Sequence, residues 1–219
     1  MKPKLLPLGD SALLIQFGTE IDLETNQRLH TLDALLRAEL IPGIIEMVPA
    51  YATLLVHYDP FVLTYAKISD WINAEMERVE SSASRKPRRI EVPVQYGGAS
   101  GPDLEWVAAH HHLSIADTIH LHTNQTYTVY MMGFTPGFPY MGKLHPSLIT
   151  PRLDSPRKLV RAGSVAIAGE QTGIYPIDSP GGWRLIGWTP LRLFDLSSDT
   201  PFLFKPGDEV QFTVEAVDA

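Results

Sequence analysis

The sequence predicts an α+β N-terminal domain over residues 1–80 and a mainly-β domain over 90–219, joined by a linker at 81–89. Three observations carry this reading. The first part alternates short apolar runs with two segments whose apolar residues recur at helical spacing. The stretch from Glu80 to Arg89 is polar, Ser-rich and mixed in charge, and breaks both periodicities. The remainder is punctuated by Gly and Pro, with strand-like alternation at both ends.

In the first domain, Gly9-Asp10-Ser11 reads as a turn and Ala12 to Phe17 as a buried strand. Asp22 is a candidate N-cap, because its carboxylate can accept from the free N–H groups of a first helical turn. Leu29, Leu32, Leu36 and Leu40 then form one apolar stripe, stopped by Pro42-Gly43. Ile44–Val48 and Thr53–Tyr58 read as strands. A second helix follows with Thr64 as N-cap and Tyr65, Ile68, Ile72, Met76 and Val79 turned inward. The order β-α-β-β-α gives a two-layer domain.

In the second domain, Ile90–Tyr96 alternates as a strand, with Pro93 at an edge or bulge. Pro102 suits the first position of a helix over Asp103–Ala108. Ser114 caps a short helix, Ile115–Ile119, with Asp117 as the acid of a capping box. Tyr127–Met132, Leu191–Leu196 and Val210–Val214 read as strands, and Pro206-Gly207-Asp208 as a turn. Short strands with Gly/Pro turns specify a β-barrel or a sandwich.

Composition bounds the function. Of 219 residues 44% are hydrophobic and 20% charged, enough to bury a core. A net charge of −7 disfavours a nucleic-acid partner, since phosphate neutralisation needs clustered Lys and Arg. There are no cysteines, so disulfides, thiolate metal sites and Cys nucleophiles are excluded. The N-terminus has no apolar h-region and no apolar run reaches membrane-spanning length, which sets the expectation of a cytoplasmic chain with no membrane contact.

Gly133 to Pro190 holds much of the Gly, Pro and aromatic content, and we read it as a shaped functional face on a β scaffold. Phe134, Phe138 and Tyr140 lie on a Pro136-Gly137 turn and can wall a pocket. Arg152, Arg157 and Arg184 offer planar forks suited to carboxylate or phosphate. Gln171 and Tyr175, on a Gly-rich connection, can donate to an oxyanion. Trp183, after Gly181-Gly182, suits a pocket wall or an interface. The histidines 110–112, 120 and 122 are not read as a metal site, because consecutive helical residues diverge. Gly97-Gly98-Ala99-Ser100-Gly101 lacks the Gly-Lys-Ser/Thr of a P-loop.

Gly133-Phe134 through Tyr140-Met141-Gly142, Pro151-Arg152, Ala162 to Gly169, Gln171 to Pro176 and Ser179 to Trp183 together resemble the allophanate hydrolase subunit 1 family. That family includes the B-type subunit of bacterial ATP-dependent 5-oxoprolinase and the Kip-type histidine kinase inhibitor. Gly9-Asp10-Ser11, Ile41 to Ile44, Tyr96-Gly97-Gly98 and Gly101 to Leu104 extend the resemblance over nearly the whole chain. It implies that the second domain is a cyclophilin-like β-barrel. It implies two partners, a second cyclophilin-like protein (the C-type subunit of 5-oxoprolinase) and a third protein (the A-type subunit). It also implies a lactam substrate opened to glutamate with ATP. His122 falls where relatives carry His, so the implied catalytic set is His122, Arg152 and Gln171. The implied groove is Phe134, Phe138, Tyr140, Arg157, Tyr175, Trp183 and Arg184. With no nucleotide motif here, ATP is expected at a shared interface or on a partner, and this face is expected to be half of a site. The alternatives are a module that inhibits a sensor histidine kinase, and an allophanate- or urea-processing subunit.

Overall fold

The structure is a computed structural model that describes residues 3–79 and 87–218. The chain forms two compact units, Met1–Lys86 and Pro87–Ala219. Most of the expected linker lies outside the described residues. Where it is described, Arg89 already belongs to a strand, so the second unit's first strand starts one residue earlier than expected.

In the first unit, β1 (Lys4–Pro7), β2 (Ala12–Gln16), β3 (Ile44–Pro49) and β4 (Thr53–Tyr58) form an antiparallel sheet in the order β1-β2-β4-β3. Helices α1 (Leu23–Ala38) and α2 (Tyr65–Val79) complete it. Leu13, Ile15, Leu54 and Val56, from alternate strand positions, are fully buried with Leu29, Leu32, Leu36, Ile68 and Ile72 of the helices. Each such side chain contributes about 1.5–3 kcal/mol relative to exposure. Asp22 caps α1 by accepting from the Thr25 N–H at 2.8 Å. Two expectations fail at helix ends. Leu40 lies beyond the last turn and is 56% exposed. Tyr65, at the first turn of α2, is also exposed and donates its hydroxyl to the Leu5 carbonyl instead of packing inward. Strand β1 has no counterpart in the sequence reading, because Lys4 and Pro7 around a Leu pair leave no alternation to read.

The second unit is a closed seven-stranded barrel. Its strands are β5 (Arg89–Gly97), β6 (Thr126–Met132), β7 (Pro139–Gly142), β9 (Ser164–Ala168), β10 (Gln171–Ile174), β12 (Arg184–Trp188) and β13 (Glu209–Asp218). They run in the order β10-β7-β6-β13-β5-β12-β9, and β9 pairs with β10 to close the ring. Among these pairings β13 and β5 alone are parallel. A separate two-stranded sheet joins β8 (Arg157–Val160) to β11 (Ser179–Gly181). Pro93 lies where β5 has β13 on one side and no paired residue of β12 on the other, so its missing N–H leaves no ladder bond unmade. Helices α3 (Leu104–His110) and α4 (Ile115–Thr123) contribute Leu104, Val107 and Ile119 to the barrel core. Ser114 caps α4 as expected, accepting the Asp117 N–H on Oγ at 3.0 Å, but Asp117 Oδ2 accepts the Ser114 hydroxyl at 2.6 Å and not the backbone N–H that a capping box would use. Pro102 is not at the first helical position: α3 starts at Leu104, after Asp103.

The Gly/Pro-rich stretch corrects the sequence reading most. It is barrel wall, and supplies β7, β9, β10 and β12. Leu191–Leu196, expected as a strand, makes only an isolated bridge between Phe194 and Phe202. Glycine admits the wall's close approaches. A Cβ at Gly101 would overlap the backbone carbonyl of Ile186, and one at Gly173 would lie 2.8 Å from Phe138 Cζ. Gly101→Ala is therefore expected to cost at least the ~1–3 kcal/mol of an overpacked core. A thermal melt would show this as a loss of about 2–4 °C per kcal/mol; an unchanged midpoint would contradict the close approach.

Candidate functional site

Strand β9 is buried on both faces, and this decides where the aromatics go. Val165 and Ile167 point into the barrel core, whereas Ala166 and Ala168 point the other way. The small alanines leave room for Phe138, Tyr175 and Trp183, which with Val160 and Leu185 build a second core outside the wall. Phe138 is 1% exposed, Tyr175 1% and Trp183 6%. The ring centroids of Phe138 lie 5.2 Å from Tyr175 and 5.4 Å from Trp183, both edge to face. Sequence reasoning places these three in a groove; the structure places them in a core. Tyr140 is half-buried at its margin, 5.8 Å from Trp183. Burial pushes the Tyr175 hydroxyl's pKa up, and that oxygen accepts the Trp183 backbone N–H. Gln171 opens β10 and is partly buried.

The three arginines have different surroundings. Arg157 Nη2 pairs at 2.8 Å with Asp103, a buried carboxylate that also accepts the Leu185 N–H at 2.7 Å. Asp103 thus ties α3, β8 and β12 together, and sequence reasoning misses it because it reads as an ordinary helix-start acid. Arg184 stacks on Trp106 of α3 with Cζ 3.5 Å from the ring centroid, and its Nε donates to the Pro151 carbonyl at 3.4 Å. Arg152 is exposed, and its Cζ stands 5.9 Å from the Trp183 ring.

His122 is not at a surface. It is completely buried, with Nδ1 2.7 Å from the Tyr96 hydroxyl and Nε2 3.0 Å from Thr172 Oγ1. Thr172 Oγ1 donates to the Ala166 carbonyl, so the network assigns the proton to Nε2 and leaves Nδ1 to accept from Tyr96. Burial lowers the His122 pKa to about 3, which keeps the ring neutral. Its neighbours are structural, so the geometry gives it a core role, not that of a general acid or base reaching substrate. Among the described residues no cluster of His, Asp or Glu could hold a metal ion, and no helix is long and apolar enough to cross a membrane.

The open site lies at Phe134. This residue is 62% exposed, adopts φ 64° and meets the Phe138 ring edge to face at 5.7 Å between centroids. It borders a cavity of about 590 Å³ whose opposite wall is the segment 199–206, with Phe202, Phe204 and Lys205. Thr135 Oγ1, in a residue of the same lining, is buried with no hydrogen-bond partner. Sequence reasoning misses this second wall. The signal is present, since Pro201-Phe202-Leu203-Phe204-Lys205-Pro206 carries the same Pro and aromatic mixture as the stretch just before it.

Comparison with known proteins sets this geometry in a family. Residues 3–204 match the model of the carboxyltransferase domain, subdomain C and D. The chain is 44% identical to the 5-oxoprolinase B subunit of Bacillus subtilis, over 94% of this chain and 90% of that protein. It is 42% identical to the 5-oxoprolinase B subunit of Escherichia coli O157:H7, over 94% and 93%. A crystal structure of the protein TTHA0988 superposes with a TM-score of 0.83 at 38% identity, covering 93% of this chain but 39% of that one.

Two outcomes follow. Trp183→Ala is expected to destabilise the barrel unit by ~3–5 kcal/mol, and Arg152→Ala to leave the melting temperature within about 1 °C, as for surface changes; equal effects would contradict the burial assignment. His122 binds a proton in the unfolded chain below its ordinary pKa of 6.5 but in the folded chain only near 3. Its contribution to stability is present above pH 6.5 and is lost as pH falls toward 3. Denaturant titrations at several pH values should show a shallower acid slope in His122→Gln than in the parent.

Proposed function

The chain belongs to the family of 5-oxoprolinase B subunits, within the carboxyltransferase subdomain C and D class, and from that premise we propose that it is the B-type component of a bacterial ATP-dependent 5-oxoprolinase. The assembly hydrolyses 5-oxo-L-proline to L-glutamate, with a second cyclophilin-like protein as its C-type component and a third protein as its A-type component. The supporting observation is identity of 38–44% to three proteins of that name over at least nine-tenths of their length. This barrel is then one cyclophilin-like member of the pair, and the chain is inactive alone.

The chemistry explains the need for ATP. An unactivated lactam resists attack by water, and a phosphoryl group on its amide oxygen makes the carbonyl a better electrophile. What this chain supplies is binding and orientation. Arg157 pairs with Asp103 through Nη2, with its Nη1 buried and unpartnered among the described residues, and Arg184 stacks on Trp106. Arg152 remains the arginine offered to the substrate carboxylate, with Trp183 beneath it and Tyr140 alongside. Arg152 also lowers the Tyr140 pKa against the rise that burial imposes, so the guanidinium's field acts on that hydroxyl. Only part of a site is built from these groups, and the partner barrel is proposed to close it.

Co-expression with the two partner proteins, followed by 5-oxoproline-dependent ADP release, tests the proposal. Release is expected only when all three chains are present; full turnover without this chain would overturn it. Arg152→Ala in the assembly is expected to raise KM for the lactam by roughly 10–100-fold, the worth of a hydrogen bond to a charged group.

A further inference from the structure

The segment 199–206 also borders a second depression. It has a volume of about 320 Å³ and is lined by Arg88, Arg192, Asp195, Ser198 and Lys205. It shares Thr200, Pro201, Phe202 and Lys205 with the larger cavity at Phe134. The two compartments differ in chemistry. The larger is walled by Phe134 and Phe202, 62% and 41% exposed, with Phe204 behind and the unpartnered Thr135 hydroxyl beside it. The smaller presents three cationic side chains with the Ser198 and Thr200 hydroxyls and the Asp195 carboxylate; Arg192 pairs with Asp195 and Arg88 with Asp208, so Lys205 is the lining cation in no ion pair among the described residues.

From this pairing we infer that the two compartments form one nucleotide-binding site on this chain. The aromatic compartment takes the base, which stacks on exposed rings whatever its identity. The basic compartment takes the polyphosphate. Lys205, common to both, stands where base and anion meet. A single-ring lactam would leave most of a 590 Å³ cavity unfilled, whereas pockets of this size suit drug-sized ligands. Arg88 and Arg192 are oriented by Asp208 and Asp195, and each keeps part of its fork for an incoming oxygen. Asp199, on the rim of the larger cavity, makes no ion pair among the described residues and suits the magnesium that accompanies a polyphosphate, which is bound through one or two carboxylates. Recognition is by side chains, which agrees with the absence of a P-loop. The choice of ATP among nucleotides rests on the reaction proposed above; the two compartments do not.

Isothermal titration of the full chain with magnesium-ATP, with adenosine and with tripolyphosphate tests the inference. ATP is expected to bind more tightly than either fragment. Lys205→Ala should weaken ATP and tripolyphosphate by roughly 10-fold while sparing adenosine. Phe202→Ala should weaken ATP and adenosine by roughly 10-fold while sparing tripolyphosphate. Both side chains are exposed, so unchanged melting curves will show that the variants fold. No saturable ATP binding, ATP binding untouched by both variants, or tripolyphosphate matching ATP would overturn the site. Binding without oxoproline turnover by the assembly would refute the proposed reaction and leave this site standing.

Discussion

How closely the barrel's strands approach one another governs the second unit. Gly187 on β12 sits so near β5 that a Cβ would meet Val94 Cγ1 at 2.5 Å and the Gln95 carbonyl at 2.9 Å. On the outer side, Gly181 lies directly against the Tyr175 ring. These approaches bring β12 against β5 in the ring and let a second aromatic core lie on its outside. Larger residues there would push the wall apart, since interiors are packed like crystals and yield little. Glycine in a strand carries an entropic cost, offset here by the aromatic surface buried on Phe138, Tyr175 and Trp183.

A buried carboxylate locks the arrangement. Asp103 is 6% exposed and would be costly uncompensated. It is compensated by the Arg157 guanidinium and the Leu185 N–H, while its own N–H donates to the Leu185 carbonyl. The same bonds hold α3 on β12 and anchor the β8–β11 sheet over the aromatic core. Inside the barrel, His122 plays a comparable part as a neutral ring between Tyr96 and Thr172. Two residue types that usually suggest chemistry are thus absorbed by structure, and what is left for ligands lies at the rim.

Local signals in the sequence are legible. The caps at Asp22 and Ser114, the helical stripes of the first unit and the strand ending at Met132 agree with the structure, because each depends on neighbours within a turn or two. The Gly133–Pro190 stretch defeats sequence reasoning because Gly and Pro argue against strands on average, and only the partner across the sheet shows why Gly173 or Gly187 is needed. Whether a Trp or Phe is wall or core is likewise a tertiary fact: Trp183 and Arg184 are adjacent in sequence, yet one is buried in the aromatic core and the other stacks on Trp106. Family membership is readable from long motifs in order. The second wall at 199–206 is harder to find, because it reaches the Phe134 turn only through the fold, from more than sixty residues further along the chain.

The ligand chemistry proposed for this chain centres on the rim formed by the Phe134 turn and the segment 199–206, with Arg152 beside the aromatic core as a second contact. Hydrogen–deuterium exchange on the full chain with and without magnesium-ATP tests this most directly. Slowed exchange is expected in residues 133–137 and 199–206, with 164–175 unchanged. Slowing confined to 151–184, or no slowing in the rim, would contradict it.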